Sequence, residues 1–141
     1  MTDSTDLRLI RLLQENAHRS SEALAKQLEV SSATVRRRIQ TLIQKGIIRI
    51  VARADPSKIG YAVRAVCAFD IEHAHLDSVL EALNNRTEVH WLSAVSGRFD
   101  AIAVVWATST DELYKLLDEM GRIEGIKNME TFICLYVRKN A

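Results

Sequence analysis

The feature that most constrains this chain is a change of hydrophobic period near residue 60. Before that point the apolar residues recur at the three- and four-residue spacing of amphipathic helices, whereas after it alternating β-branched runs are interspersed with helical stretches. A chain that changes period in this way does not fit a single helical bundle or a single β-sandwich. We therefore predict an α+β protein with two domains, residues 1–60 and residues 61–141.

The sequence of the first domain predicts three helices, each with its own start and stop signals. They cover Asp6–Glu15, about Ser21–Leu28, and the segment between the N-cap residue Ser31 and Gly46. The β-branched run Ile47–Val51 then predicts a strand, and Asp55-Pro56 marks the turn into a linker. Two helices joined by a tight turn and followed by a strand are typical of a winged helix-turn-helix.

The sequence pattern of the second domain predicts the β-α-β-β-α-β order of a ferredoxin-like fold. Its elements are a strand over about Val63–Ile71, a helix over about His75–Asn84, strands over Val89–Ser96 and Ala101–Ala107, a helix opened by Thr110, and a last strand over Lys127–Val137. Strand Ala101–Ala107 is apolar on both faces, although two helices can cover only one face of the sheet. We expect the same sheet of a second subunit to cover the other face; the alternative is that small alanines tolerate solvent there.

Charge separates the two halves more sharply than the net charge of +1 indicates. Residues 1–60 carry eleven Lys and Arg against six Asp and Glu, and residues 61–141 carry eight against twelve. A basic first half favours contact with a polyanion such as double-stranded DNA, and the alternative is a chance distribution.

The sequence offers no sign of a membrane, a metal or a disulfide. It has neither a secretory signal pattern nor an apolar run of membrane-spanning length, which predicts a cytoplasmic protein without membrane contact. Cys67 and Cys134 lie in apolar alternating runs and indicate reduced core thiols. We expect no metal site and no cofactor.

The segment from Ser31 to Leu42 predicts a DNA-recognition helix. When its apolar residues face inward, the 100° step of a helix places Arg37 directly outward, with Arg36 and Arg38 at its sides. A central guanidinium suits guanine O6 and N7, and flanking arginines suit phosphates. An arginine-rich solvated face is the alternative, but the preceding helices and tight turn favour DNA. The residues predicted to contact DNA are Ser31, Ser32, Thr34, Arg36, Arg37, Arg38, Gln40 and Thr41.

Short motifs occur in a fixed order along the whole chain. They are the opening helix from Asp3 to Ala17, Leu24-Ala25, Val30-Ser31, Gly46-Ile47-Ile48, Asp55-Pro56 with Ile59-Gly60-Tyr61, the turn Ser96–Asp100, and Glu124-Gly125-Ile126 with Thr131. In this order they resemble the Lrp/AsnC family, the feast/famine transcription regulators. The resemblance implies a winged helix-turn-helix followed by a domain that dimerises, often assembles into octamers, and binds effectors between dimers.

Two positions depart from the family pattern. His18 stands where the family usually has Arg, in a region expected to contact the DNA backbone. Glu29 stands in a turn where Gly is common, so a non-glycine residue occupies a position where a left-handed backbone is expected.

The turn Ser96–Asp100 combines a glycine with a carboxylate. Taken alone, these are ordinary turn residues, and Asp100 can pair with an ammonium group or accept backbone hydrogen bonds. The family resemblance implies instead that the turn forms an amino-acid site together with the last strand, and Gly97, Asp100 and Thr131 are the first candidates. The full set predicted to bind the effector is Ser96, Gly97, Arg98, Phe99, Asp100, Met129, Thr131 and Ile133.

Together these features predict a homodimeric, operator-binding regulator whose assembly or DNA affinity responds to a small effector, an amino acid by the family resemblance. The alternative is an architectural protein that compacts DNA and senses nothing. An enzyme is not predicted, because the sequence has no phosphate loop, metal-ligand spacing or nucleophile elbow. The histidine-bearing motif of siroheme decarboxylases, which resemble this family's fold, is not visible around Gly97–Trp106.

Overall fold

The computed structural model describes residues 2–138 and divides into two compact units, Met1–Arg53 and Ala54–Ala141. The division falls between residues 53 and 54, just before the turn Asp55-Pro56 and seven residues before the predicted boundary at residue 60. Asp55–Ser57 belong with the second unit because they line the same cavity as Arg64 and Trp106. None of the helices within residues 2–138 is both long and apolar enough to cross a bilayer.

The first unit consists of three capped helices. Helix α1 spans Ser4–Glu15, α2 spans Ser21–Leu28 and α3 spans Ser32–Gln44. Asp3, Ser20 and Ser31 each accept a hydrogen bond from a backbone N–H in the first turn of the helix that follows, which satisfies a donor that the helix itself leaves unpaired. The helices meet around one apolar core: Leu9, Leu24, Ala25, Leu28, Val35 and Leu42.

The turn between α2 and α3 has a left-handed backbone at Glu29, with φ 56° and ψ 42°. This is the conformation that the sequence led us to expect there. It is disfavoured for an L-residue because the Cβ atom approaches the following carbonyl oxygen. The tight turn therefore carries local strain that a glycine would not have.

The strand predicted over Ile47–Val51 is wrong, because this run has no regular secondary structure. A β-branched run forms a strand only beside a partner that completes its hydrogen-bond ladder, and the regular elements of this unit are all helices. The segment is therefore extended coil, and Ile50 and Val51 are mostly exposed.

The second unit is a four-stranded antiparallel sheet with two helices. In chain order it contains β1 (Val63–Ile71), α4 (Leu76–Asn84), β2 (Val89–Ala94), β3 (Ala101–Ala107), α5 (Thr110–Gly121) and β4 (Ile126–Ile133), with short 3-10 turns at Pro56–Ile59 and His73–His75. The strands lie in the order β2-β3-β1-β4. The predicted α+β class and ferredoxin-like order are confirmed.

The two faces of the sheet differ in burial. Directly opposed residues of antiparallel strands share a face, so Cys67, its partner Ala103 and the rest of their rows lie on the side that α4 and α5 cover. On the other face, Val66 is opposed by Val104 and Phe132, and half of the Phe132 side chain is exposed. Within the described residues of the second unit, neither helix packs over this second face, which we call the open face.

Two strands end earlier than predicted. Strand β4 stops at Ile133 and not at Val137, because Ile133 pairs with Ala65 and the Cys134 N–H with the Arg64 carbonyl, which brings the ladder to the start of β1. Strand β2 stops at Ala94, two residues before Ser96. Beyond it the Val95 N–H donates to the Asp100 carbonyl and closes the turn into β3.

Candidate nucleic-acid interface and effector site

Arg37 lies on the solvent side of α3, opposite the buried residues Val35 and Leu42. No hydrogen bond or ion pair from any residue between 2 and 138 engages its guanidinium. Its backbone carbonyl accepts a hydrogen bond from the Thr41 hydroxyl at 3.0 Å. The side chain is therefore available to an external acceptor, as the sequence predicts.

The two flanking arginines differ from each other. Arg36 is more than half exposed and makes only a loose ion pair with Glu22 at 3.6 Å. Arg38 donates from Nη1 to Asp3 and to Asp6, each at 2.8 Å, and about a quarter of its side chain is exposed. Arg36 can turn to a phosphate at little cost, whereas Arg38 would have to leave two carboxylates.

The contacts of Arg38 join α3 to the start of α1. Asp3 and Asp6 form a reciprocal capping box, in which each carboxylate accepts the other residue's backbone N–H. The Asp6 N–H and the Arg38 guanidinium hold the pKa of Asp3 below its usual value, and the same carboxylates raise the pKa of Arg38. This clamp fixes the orientation of α3 in its own unit.

The remaining predicted DNA contacts line the first turns and outer side of α3. The Ser31 and Thr34 hydroxyls lie 2.8 Å apart, and Ser31 also accepts the Thr34 N–H at 3.1 Å. Gln40 is exposed, and Ser32 and Thr41 are half-buried. The sequence analysis missed Lys45, which lines the same surface cleft as Arg37. Its place directly after the helix, one turn beyond Thr41, is the signal that could have identified it.

The predicted effector turn connects β2 and β3. Gly97 has φ 131°, a left-handed value that favours glycine, and Ser96, Gly97 and Arg98 are exposed. The Arg98 guanidinium lies 5.2 Å from the ring centroid of the half-buried Phe99. The tip of this turn is thus free of the core and accessible to a ligand.

Asp100 supports the turn by binding backbone. Its Oδ2 accepts the Ile71 N–H at 2.8 Å, and its own N–H donates to the Phe69 carbonyl at 2.9 Å. Its other carboxylate oxygen, Oδ1, accepts no hydrogen bond from residues 2–138. One oxygen therefore stabilises the strand connection while the second remains available for an ammonium or hydroxyl group.

The last strand contributes its predicted residues at three different levels of the sheet. Met129 is opposite Phe69 and so lies level with the turn, whereas Thr131 is opposite Cys67 and Ile133 is opposite Ala65. At about 3.3 Å per residue, Ile133 lies roughly 13 Å along the strand from Met129. Within one subunit, Met129 is thus brought to the turn and Ile133 is not.

An ion pair beside the turn was missed by the sequence analysis. Lys127 lies 3.1 Å from Asp70, and this carboxylate, with Asp100 more distant, raises the pKa of the lysine. Neither residue belongs to a recognisable motif, so only the strand register reveals that they adjoin the turn. The site therefore presents both signs of charge, which suits a zwitterion.

The cysteines and histidines form no reactive cluster. Burial raises the pKa of the Cys67 thiol to about 11, and the Thr131 hydroxyl donates to its Sγ at 4.0 Å. Within residues 2–138, no group of His, Cys, Asp and Glu side chains has the arrangement of a metal site.

Comparison with known proteins identifies both units. The family model of winged helix-turn-helix DNA-binding domains matches residues 2–49, and the model of the Lrp/AsnC ligand binding domain matches residues 64–141. The chain belongs to the Lrp/AsnC family. It is accordingly a transcription regulator with a DNA-binding helix-turn-helix and a ligand-binding domain.

Individual Lrp/AsnC relatives cover nearly the whole chain. An uncharacterized HTH-type transcriptional regulator of Pyrococcus furiosus is 40% identical over 141 residues, 99% of this chain and 95% of the relative. The regulator LrpA of Pyrococcus horikoshii is 30% identical over 128 residues, 89% of this chain and 91% of the relative. The structure of E. coli AsnC superimposes with a TM-score of 0.89 at 27% identity, covering 100% of this chain and 97% of AsnC.

A more distant structural neighbour shares the fold. It is a Neisseria meningitidis transcriptional regulator, solved as a complex with L-methionine, with a TM-score of 0.89 at 22% identity, covering 99% of this chain and 94% of the neighbour.

Proposed function

We propose that this regulator binds specific operators as a homodimer and that a free amino acid modulates its operator affinity or its assembly. The observation that carries the DNA-binding part is the capped helix α3, which presents Arg37 outward without a protein partner among residues 2–138. The basic first 60 residues supply the favourable field for a polyanion.

The open face supports the homodimer. Trp91, Val104 and Phe132 form an apolar patch on it, and Trp91 and Phe132 are each about half exposed. A two-fold axis would place the same patch of a second copy against it and bury both. The octamers implied by family membership would arise from further contacts between such dimers.

The effector turn supports an amino-acid ligand. Asp100 Oδ1 can receive an ammonium group, and Lys127 can attract a carboxylate in exchange for part of its pairing with Asp70. Phe99 and Met129 offer apolar surface at the same end of the sheet. The Neisseria regulator, which was solved as a complex with L-methionine, supports this proposal because it shares the fold.

The DNA-binding proposal predicts different effects for two neighbouring arginines. Arg37→Ala should weaken binding to a specific operator by about 1–3 kcal/mol and relax base preference at one position per half-site, because the central groove-facing donor is lost. Arg36→Ala should weaken all sequences alike and reduce the slope of log affinity against log salt by about 1. Titrations at several salt concentrations measure both.

Arg11→Ala is the matched control, because Arg11 is an exposed arginine on α1 and lies outside the proposed interface. It should change neither specificity nor salt slope appreciably. Unchanged specificity in Arg37→Ala would contradict the assignment of α3.

The effector proposal is tested at Asp100. Asp100→Asn keeps an oxygen that can accept the Ile71 N–H but removes the charge, so the fold should persist while the amino-acid response is lost. Operator affinity without ligand should remain within about twofold, since an effector acts only through its differential affinity for two states. Calorimetry with the twenty amino acids, followed by operator titrations with the strongest binder, measures both properties.

Asp118→Asn, an exposed position on α5, is the control and should respond like the wild type. A full response in Asp100→Asn would place the effector elsewhere. If no amino acid binds the wild type at millimolar concentration, the ligand-independent architectural function becomes the better account.

A further inference from the structure

Strand β2 contains a β-bulge at His90. Val89 is opposite Val105, on the face of the sheet that the helices cover. The next paired residue of β2 is Trp91, and it is opposite Val104, on the open face. Two residues thus advance on β2 while one advances on β3, and His90 is the extra residue. A bulge of this kind changes the direction of the side chain that it inserts.

The imidazole of His90 lies on the open face, because it stacks on the indole of Trp106. Trp106 is two residues beyond Val104 on β3 and therefore shares its face. The ring centroids of His90 and Trp106 are 3.6 Å apart, and the ring planes differ by 18°. Tyr61 meets the imidazole edge to face, with ring centroids 5.8 Å apart. The bulge thus places a titratable ring among the aromatic side chains of the open face.

This indole already has a cation beside it. Arg64 is opposite Trp106 in the strand register, and its guanidinium carbon lies 5.3 Å from the indole centroid. A protonated His90 would add a second positive charge to the same ring. An aromatic face attracts a cation, but burial, followed by the positive charge of Arg64, lowers the pKa of His90 below its usual value. The imidazole is therefore neutral at pH 7.

The other titratable groups nearby do not supply a counter-ion for His90. Glu88, just before β2, pairs with the Arg86 guanidinium at 4.0 Å. Asp55, before β1, accepts two hydrogen bonds within its own 3-10 turn. The phenol of Tyr61 is uncharged in the range where histidine titrates. Among residues 2–138, no carboxylate forms an ion pair with His90, so protonation would leave its charge uncompensated.

We propose that His90 makes dimerisation through the open face sensitive to acid, because its protonation places a second cation beside Trp106 in the contact between the two copies. This rests on the homodimer proposed above. Burial against a second copy removes water from the imidazole and disfavours its charged form further. The dimer then binds fewer protons than two separate copies, so a fall in pH favours dissociation. Each copy contributes one His90, so dissociation takes up at most two protons at these residues.

Sedimentation equilibrium of the full-length protein at a series of pH values from 7.5 to 5.0 tests the proposal. The dimer dissociation constant should be nearly constant above about pH 6.5, the usual pKa of histidine. Below that value it should rise, by about tenfold or more at pH 5.0, because the separate copies take up protons that the dimer excludes. Circular dichroism at each pH establishes that the chain stays folded.

Two histidine variants assign the effect. His90→Phe keeps a flat ring that can stack on Trp106 but cannot take up a proton, so its dissociation constant should vary by less than about threefold over the same range. His73→Gln is the matched control, because His73 is exposed in the 3-10 turn after β1. It should keep the full pH dependence of the wild type.

Three results would overturn the proposal. The first is a wild-type dissociation constant that does not change with pH. The second is full pH dependence in His90→Phe, which would assign the titration to another group. The third is tighter association at low pH, which would show that a carboxylate of the second copy faces the imidazole.

Val104→Glu separates these results from failure of the homodimer proposal. If Val104→Glu dissociates while the wild type is insensitive to pH, the open face is the interface and only the role of His90 is wrong. If Val104→Glu associates like the wild type, the open face is not the interface and both proposals fail.

Discussion

The helices of the smaller unit bury apolar residues against one another, whereas the sheet of the larger unit buries only one of its two faces. Residues of α1, α2 and α3 surround one apolar core, and the large apolar side chains that this unit leaves exposed lie mainly in the coil after α3, at Ile47, Ile50 and Val51. The sheet of the second unit has helices on one face only and leaves valine, tryptophan and phenylalanine side chains on the other. A domain can therefore form all the strands and helices of its fold and still leave an apolar sheet face that its own helices do not bury.

A charge placed on the open face tests whether this face is the dimer interface. Val104→Glu should raise the dimer dissociation constant about 100-fold, because a two-fold interface would bury two like charges in an apolar patch. Val104 is half-buried in the single chain, so the fold itself should tolerate the carboxylate. Sedimentation equilibrium measures the change, and circular dichroism checks the fold.

Tyr114→Glu provides the control on the other side of the sheet, because this tyrosine is 73% exposed on α5. It should leave association unchanged. A Val104→Glu protein that associates like the wild type would show that the open face is not the dimer interface.

The packing of the three helices in the first unit can be tested at the ion pairs that Arg38 makes with Asp3 and Asp6. Arg38→Gln should lower the melting temperature of the helix-turn-helix unit and weaken operator binding, because α3 loses its two contacts with the start of α1. Since Arg38 acts through protein carboxylates, the salt slope should change by less than about 0.3, against about 1 for Arg36→Ala.

A double-mutant cycle gives the control for the clamp. In a background carrying Asp3→Asn and Asp6→Asn, Arg38→Gln should cause little further loss of stability, because its partners are already neutral. If the slope of log affinity against log salt falls by about 1 in Arg38→Gln alone, Arg38 contacts a DNA phosphate.

The smallest expected effect concerns strain within the first unit. Glu29→Gly should stabilise the protein by about 0.5–1 kcal/mol, because relief of the left-handed backbone outweighs the added chain entropy of glycine. Glu29→Ala should be close to neutral, since alanine keeps the Cβ atom. Thermal unfolding of the three proteins measures the difference, and equal stability of all three would show that the turn is unstrained.

Local signals were enough to predict most elements. The caps at Ser20 and Ser31 and the period of the residues after them located α2 and α3, and strands β1 and β3 have the predicted bounds. These features depend on residues within a few positions of one another. The sequence contains that information directly.

Features that depend on distant partners could not be predicted in this way. The run Ile47–Val51 has strand composition but forms no strand within the described residues, and the pairing of β4 with β1 stops at Ile133, opposite Ala65. The partners of Arg38 lie 32 and 35 positions away, so helix periodicity could place its side chain on the flank of α3 but could not show what it contacts.

The hydroxyls of Ser31 and Thr34 close the first turn of α3 in the free protein. A recognition helix that is already formed has no ordering step at the operator, so binding does not have to wait for a folding event. Encounter is then a rigid-body collision, with a rate constant of about 10⁵–10⁷ M⁻¹ s⁻¹ for orientation alone and up to about 10⁸–10⁹ M⁻¹ s⁻¹ with electrostatic steering. We therefore expect ionic strength, and not helix formation, to set the rate at which this regulator finds its operator.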